Sequence, residues 1–208
     1  MTDLWNKSLS FQDDRSLEAV KKQAMRRGAA DSWWEPHPES PRFLVSWSAW
    51  PLPQWAQSPS VPGIWCERIP VEEYVAFLRP HVLRTEHDIW ASRARGYQGV
   101  RLAAYTPGVS LQYLLEVSRE LGMLPVVQVL SKEDVRRVVD TDAQVIECLA
   151  SNTLGFIQDF DWDVLCGYCQ SVQEIQQAIE KGYMWFSVSD TLWLDLIKPQ
   201  RRAVDQER

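Results

Sequence analysis

Three groups of side chains have types and spacings that could carry chemistry. The first is Cys166-Gly167-Tyr168-Cys169, a C-x-x-C run between an apolar stretch and a helical one. Thiols at that spacing near a helix N-terminus can be held as thiolates and cycle with a disulfide. The plainer reading is a pair of structural cysteines packed as small apolar groups. Zinc would need two more ligands, and Cys66 and Cys148 fall on other parts of the chain, so no metal site is expected. The second group is Glu86-His87-Asp88. A carboxylate beside an imidazole can exchange protons with a substrate. The plainer reading is a solvated loop in which Asp88 caps the next helix. The third group is Trp47, Trp50, Trp55 and Trp65, four of eleven tryptophans in the chain. They could form a platform for a planar aromatic ligand or anchor other protein chains. Trp47 and Trp50 could equally fill a cavity.

The elements that position these groups follow from hydrophobic periodicity. Asp13 to Arg27 reads as a charged amphipathic helix ended by Gly28, with Leu17, Val20, Ala24 and Met25 on one face. A Pro- and Trp-rich loop follows. Strands are expected at Phe43–Trp47, Gly63–Cys66, His81–Arg84, Gly99–Ala104, Pro125–Leu130, Gln144–Leu149, Asp163–Cys166 and Met184–Ser187. Between them, helices are expected at Val71–Leu78, Asp88–Arg95, Leu111–Leu121, Lys132–Val139 and Ser171–Glu180, with a last one near Thr191–Ile197. Ser131 with Asp134 three residues on is a helix-start signal. Strands alternating with helices imply parallel βα units, and eight such strands imply a closed barrel. The fold class is therefore α/β, a compact (β/α)8 barrel with shortened loops and a reduced helix after strand six. We divide the chain into an N-terminal helix and Pro/Trp-rich loop (1–41), a barrel domain (42–197) and a polar tail (198–208).

Composition narrows the function classes. The 208 residues are 45% hydrophobic, enough for a core without disulfides or metals. A full barrel typically takes about 250 residues, so this one must be trimmed and leaves no room for a second domain. The formal net charge of −6 offers nothing to a phosphate backbone, which argues against nucleic acid. No apolar run is long enough to span a bilayer, and Met1-Thr2-Asp3-Leu4-Trp5 lacks the pattern of a signal peptide. A cytoplasmic location is expected, or an organelle interior if a transit peptide has been removed. No cofactor is expected.

The stretch from Leu121 to Asp161, L-G-M-L-P-V-V-Q-V-L-S-K-E-D-V-R-R-V-V-D-T-D-A-Q-V-I-E-C-L-A-S-N-T-L-G-F-I-Q-D-F-D, resembles indole-3-glycerol phosphate synthase. That family is a (β/α)8 barrel that closes the indole ring in tryptophan biosynthesis. Val82-Leu83-Arg84, Ile89 to Gly96 and Ser171 to Gly182 are similar to further segments of it, and the likeness runs from Arg42 to Asp195. The resemblance implies where active-site residues would stand. Val45 matches the strand-one glutamate, Trp47 the strand-one lysine and Trp50 a phosphate-binding serine. Thr85 matches the general-acid lysine after strand three, and Gln128 the strand-five glutamate. Leu149-Ala150-Ser151, Leu165-Cys166-Gly167-Tyr168 and Val188-Ser189-Asp190 match the family's remaining loop motifs. None of these residues is the family's own. Thr85, Val45 and Gln128 cannot supply a proton donor and carboxylates for ring closure at neutral pH. Val188 and Tyr168 obstruct a phosphate site, and Asp190 repels one.

The same frame places Glu147 inward on strand six, where the family has glycine, with Arg101 on strand four as its expected partner. These readings lead to a non-catalytic relative of indole-3-glycerol phosphate synthase, kept as a binding or structural component among other protein chains. The alternative is a divergent lyase-like enzyme acting on an aromatic or indole-type substrate, with Glu86, His87, Gln128, Glu147 and Asp190 as its candidates. A redox role for Cys166 and Cys169 comes third.

Overall fold

Short runs of β-branched and aromatic residues, each followed by an amphipathic segment, favour right-handed crossovers that lay every strand parallel to the one before. The computed structural model describes residues 15–27, 33–34, 38–47, 52–67, 69, 75–158 and 160–197. Its strands are β1 (Arg42–Ser46), β2 (Gly63–Trp65), β3 (Ala76–Leu83), β4 (Gly99–Ala103), β5 (Leu124–Val129), β6 (Val145–Cys148), β7 (Asp163–Cys166) and β8 (Trp185–Ser189). They close in sequence order into an eight-stranded barrel. All pairings are parallel, and β1 meets β8 with Leu44 opposite Ser187 and Ser46 opposite Ser189. The fold is a (β/α)8 barrel.

The outer layer holds α1 (Leu17–Arg27), α2 (Glu86–Arg95), α3 (Leu111–Glu120), α4 (Lys132–Val139), α5 (Val172–Glu180) and α6 (190–197). After β6 there is only a 3-10 turn, Ser151–Phe156, as the short spacing predicts. Helix starts follow local chemistry. Ser131 and Asp134 form a reciprocal capping box on α4. The Ser171 hydroxyl accepts from the Glu174 amide at the start of α5. Gly96, at φ 102°, closes α2 in a conformation that a side chain would strain.

The third strand differs from expectation. The run ending at Leu78 has helical periodicity, yet Ala76 to Leu78 are already in β3. Pro80 broke the sequence pattern into an apparent helix and a separate strand at His81–Arg84. In the barrel it is accommodated where the β3–β4 register shifts between Leu78 and Val82, since a proline can sit at a bulge without giving up a ladder bond. The part of the expected helix at 71–74 lies outside the described residues, as does the polar tail.

Helix α1 lies beside α2. The Lys21 ammonium sits 2.6 Å from the Glu86 carboxylate, and Gln23 Nε2 and Arg27 Nε donate to the Ala94 carbonyl at 3.2 and 3.1 Å. Val20 and Ala24 carry the contact into the core. No helix among the described residues is long and apolar enough to cross a membrane.

Inside the barrel, alternate residues form layers. Leu44, Leu78, Val126, Val145, Leu165 and Trp185 form an apolar cluster with Trp65. Its lower end, at the strand N-termini, is closed by Trp33 and Trp34. Trp34 stacks on Trp185 at 3.7 Å and donates from Nε1 to Asp163 at 2.9 Å, while Trp33 packs beside it.

Candidate functional site

Above this apolar floor the interior turns polar. Arg101 on β4 and Glu147 on β6 both point inward, because residues two apart on a strand share a face and their neighbours Gly99 and Val145 line the lower layer. Arg101 Nη2 donates to Glu147 Oε1 at 2.6 Å. The two side chains are 1% and 0% exposed, so the pair is fully removed from water. Burial on this scale is tolerated only when each charge is met by hydrogen bonds, and here each is. Arg101 Nη1 donates to the Pro80 carbonyl at 2.9 Å, and Nη2 also donates to Ser187 Oγ at 3.0 Å. Gln128 Nε2 donates to Glu147 Oε2 at 2.6 Å. The guanidinium carbon lies over Trp65, 3.7 Å from the ring centroid, a cation–π contact in a dry setting. Gly167 opens room for the pair. A Cβ there would stand 2.7 Å from Leu149 Cδ2 and 3.1 Å from Glu147 Cγ.

The expected partnership of Glu147 and Arg101 is thus present, and Gln128 joins it. Ser187, the Pro80 carbonyl and Trp65 complete the network and were not foreseen as members. Ser187 did carry a signal, as a hydroxyl between apolar Phe186 and Val188 on a strand whose neighbours alternate inward and outward.

Several expected site positions lie elsewhere. Val45 is buried in the outer core and Trp47 packs against it, so neither faces the interior. The inward residues of β1 are Leu44 and Ser46; a one-residue slip moves every side chain to the other face. With β3 at Ala76–Leu83, the run Phe77-Leu78-Arg79 lies on the strand together with Val82 and Leu83, and Arg84 follows its end. Pro80 stands next to Arg79 on the same strand and has no proton to donate. Thr85 is the N-cap of α2. Its Oγ1 accepts from the Asp88 amide and donates to Asp88 Oδ2, so the cap is Thr85 rather than Asp88.

Glu86 and His87 are engaged by side chains and backbone of the outer layer. Glu86 binds Lys21 and accepts from Tyr113 OH at 2.7 Å and Trp90 Nε1 at 3.1 Å. The Lys21 hydrogen bond, followed by that of Tyr113, holds its carboxyl below the ordinary glutamate value. His87 Nε2 contacts the Arg15 carbonyl at 2.9 Å. Both residues fasten α1 to α2. Asp190 begins α6 at the top of β8, where Oδ1 accepts from the Thr191 amide at 2.7 Å.

The tryptophans separate into two environments. Trp65 is inside the barrel under Arg101. Trp55 and Trp47 meet edge to face at 5.1 Å in the outer layer, and Trp55 meets Trp193 of α6 at 5.8 Å. The buried indole N–H groups of Trp47, Trp55 and Trp193 have no hydrogen-bond acceptor among the described residues. Edge-to-face packing offers such donors a neighbouring π face as a weak acceptor. Trp50 lies outside the described residues.

Cys166 and Cys169 are both buried and reduced, as are Cys66 and Cys148. Burial is the first cause that pushes the Cys166 thiol far up and the Cys169 thiol to about 11. A redox pair needs the opposite shift. Among the described residues no cluster of three or more His, Cys, Asp or Glu is placed to hold a metal ion.

No protein-family model matches the chain. It is similar to indole-3-glycerol phosphate synthase 1 of Streptomyces coelicolor, with 33% identity over 79 residues. The match covers 38% of this chain and 29% of that protein, less than a third of the relative's length.

Proposed function

We propose that this chain is a non-catalytic barrel of indole-3-glycerol phosphate synthase descent, retained as a binding or structural subunit of a larger assembly. The observation that carries this reading is the Arg101–Glu147 pair. Ring closure of the kind run by the family needs an acid to protonate a carbonyl oxygen and carboxylates to stabilise developing positive charge. The inward carboxylate of the upper layer, Glu147, has one oxygen on Arg101 and the other on Gln128. It is shielded from solvent and already neutralised. Pro80, Leu44 and Ser46 supply neither an acid nor a second carboxylate. A partial sequence match to one synthase supports the descent and does not extend to activity.

Incubation of the purified chain with 1-(o-carboxyphenylamino)-1-deoxyribulose 5-phosphate tests the reading. No indole-3-glycerol phosphate is expected by fluorescence or mass spectrometry. Sustained turnover that disappears in Glu147→Gln would overturn it. The assembly half of the reading is checked by the native mass of the chain drawn gently from its source cells, expected to exceed the 24.1 kDa of one chain.

A second reading is a divergent enzyme acting on an aromatic or indole-type substrate. It is favoured by one arrangement, the half-buried Gln128 above a fixed carboxylate and a guanidinium stacked on Trp65. Saturable quenching of tryptophan fluorescence by an indole or anthranilate compound, abolished by Gln128→Ala, would favour it over the first.

A further inference from the structure

We propose that the upper barrel interior is an anion site whose resident ligand is the chain's own Glu147 carboxylate. The external ligand class it takes, once that side chain is removed, is a small planar monocarboxylate. The inference deepens the non-catalytic reading, since it rests on that reading for what the tethered carboxylate excludes.

Arg101 is positioned by contacts other than the acceptor. It is held by the Trp65 ring, whose centroid is 3.7 Å from the guanidinium carbon, by the Pro80 carbonyl at 2.9 Å and by Ser187 Oγ at 3.0 Å. These contacts come from β2, β3 and β8 and do not involve Glu147. Gln128 arrives from β5 with its amide 2.6 Å from the other carboxylate oxygen. Two donors on two strands therefore converge on the two oxygens of one carboxylate, which itself stands on a third strand at the end of a two-carbon stem. The arrangement is that of a carboxylate receptor, in which the ligand is carried at the high effective concentration that tethering provides. Gly167 keeps the space beside the stem free of a side chain. Shortening Glu147 to alanine removes a fragment with the carbon and oxygen count of acetate, leaving Arg101 and Gln128 facing a gap of that shape.

The test is thermal unfolding of Glu147→Ala in about 100 mM sodium acetate against sodium chloride of equal ionic strength. Acetate is expected to raise the midpoint by about 3 °C or more over chloride, as for a ligand bound by the native state alone. Native protein, whose site is filled, is expected to show no difference between the salts. The variant carrying both Arg101→Met and Glu147→Ala, which lacks the receptor cation, is also expected to show none. An equal shift in chloride and acetate, or an acetate shift that survives the loss of Arg101, overturns the proposal. If Glu147→Ala does not fold in chloride, recovery of native far-UV signal after dilution from urea is read instead. Recovery in acetate and not in chloride supports the site, and no recovery in either refutes it. Turnover of the synthase substrate by native protein would remove the non-catalytic reading and leave this result standing. A failed rescue would remove the anion site and leave the turnover result standing.

Discussion

The two halves of the barrel interior are built on different physics. The lower half is Leu44, Leu78, Val126, Val145, Leu165 and Trp185, closed below by Trp33 and Trp34. Its stability comes from apolar area removed from water and from close packing, which grow with each side chain added and fall gradually with each one trimmed. The upper half is Arg101, Gln128, Glu147 and Ser187, and its stability is conditional. Every charge there is tolerable while its partner is present and costly once the partner is gone. A barrel of this kind is commonly filled by branched apolar residues throughout. The lower half is therefore what the fold requires, and the upper half is a departure that the fold merely accommodates.

The sharpest way to break this comparison is to remove one charge. Arg101→Ala or Glu147→Ala alone is expected to destabilise by about 3–5 kcal/mol in urea unfolding, because each leaves an uncompensated buried charge. Replacing both together, Arg101→Met with Glu147→Leu, is expected to cost less than about 1.5 kcal/mol or to stabilise. If the double variant loses the sum of the singles, the upper half is no different in kind from the lower.

In the lower half, Trp185→Ala is expected to cost about 3 kcal/mol through cavity formation and the lost stack with Trp34. No second substitution should restore that loss. Recovery by a change at Trp34 would show that the floor, too, works by pairwise dependence.

The smallest expected effect lies outside both halves, at the buried thiols of Cys166, the last residue of β7, and Cys169 just after it. A folded-state pKa above the unfolded value contributes stability that is complete below the unfolded pKa and lost as pH rises through the folded one. For Cys169 that window runs upward from the ordinary thiol value, 9.0, to about 11, with burial as the main cause. Native protein is expected to lose stability across it more steeply than a variant with alanine at 166 and 169. Equal slopes would show that the thiols are not protected by the fold.

Much of the scaffold was legible in the chain. The segment Leu124–Val139 carries strand, capping serine and amphipathic helix in its local pattern, and β5 and α4 form within a residue or two of where that pattern places them. The Arg101–Glu147 pair was legible for a related reason. An inward charge on a strand has nowhere to go unless another inward charge meets it. Other features were not. Pro80 disguised β3, because its accommodation depends on a register shift against β4. Val45 and Ser46 are adjacent in sequence and opposite in face, and only the pairing of β1 with β2 and β8 decides which looks inward. Glu86 and His87 read as mouth residues until α1, about seventy residues earlier in the chain, claims them.

By itself, the sequence determined the alternation of strands and helices and the parallel closed barrel that alternation implies. These depend on local propensity, period and composition, which act over a few residues and are visible in one dimension. The tertiary structure alone decided which residues share the interior, that Trp34 seals its floor, that Trp47 belongs to the outer layer, and that Ser187, Pro80 and Trp65 hold Arg101 in place for Glu147. Those facts rest on register and on contacts between distant strands, where a shift of one residue turns a core side chain into a surface one and no local preference can set the choice.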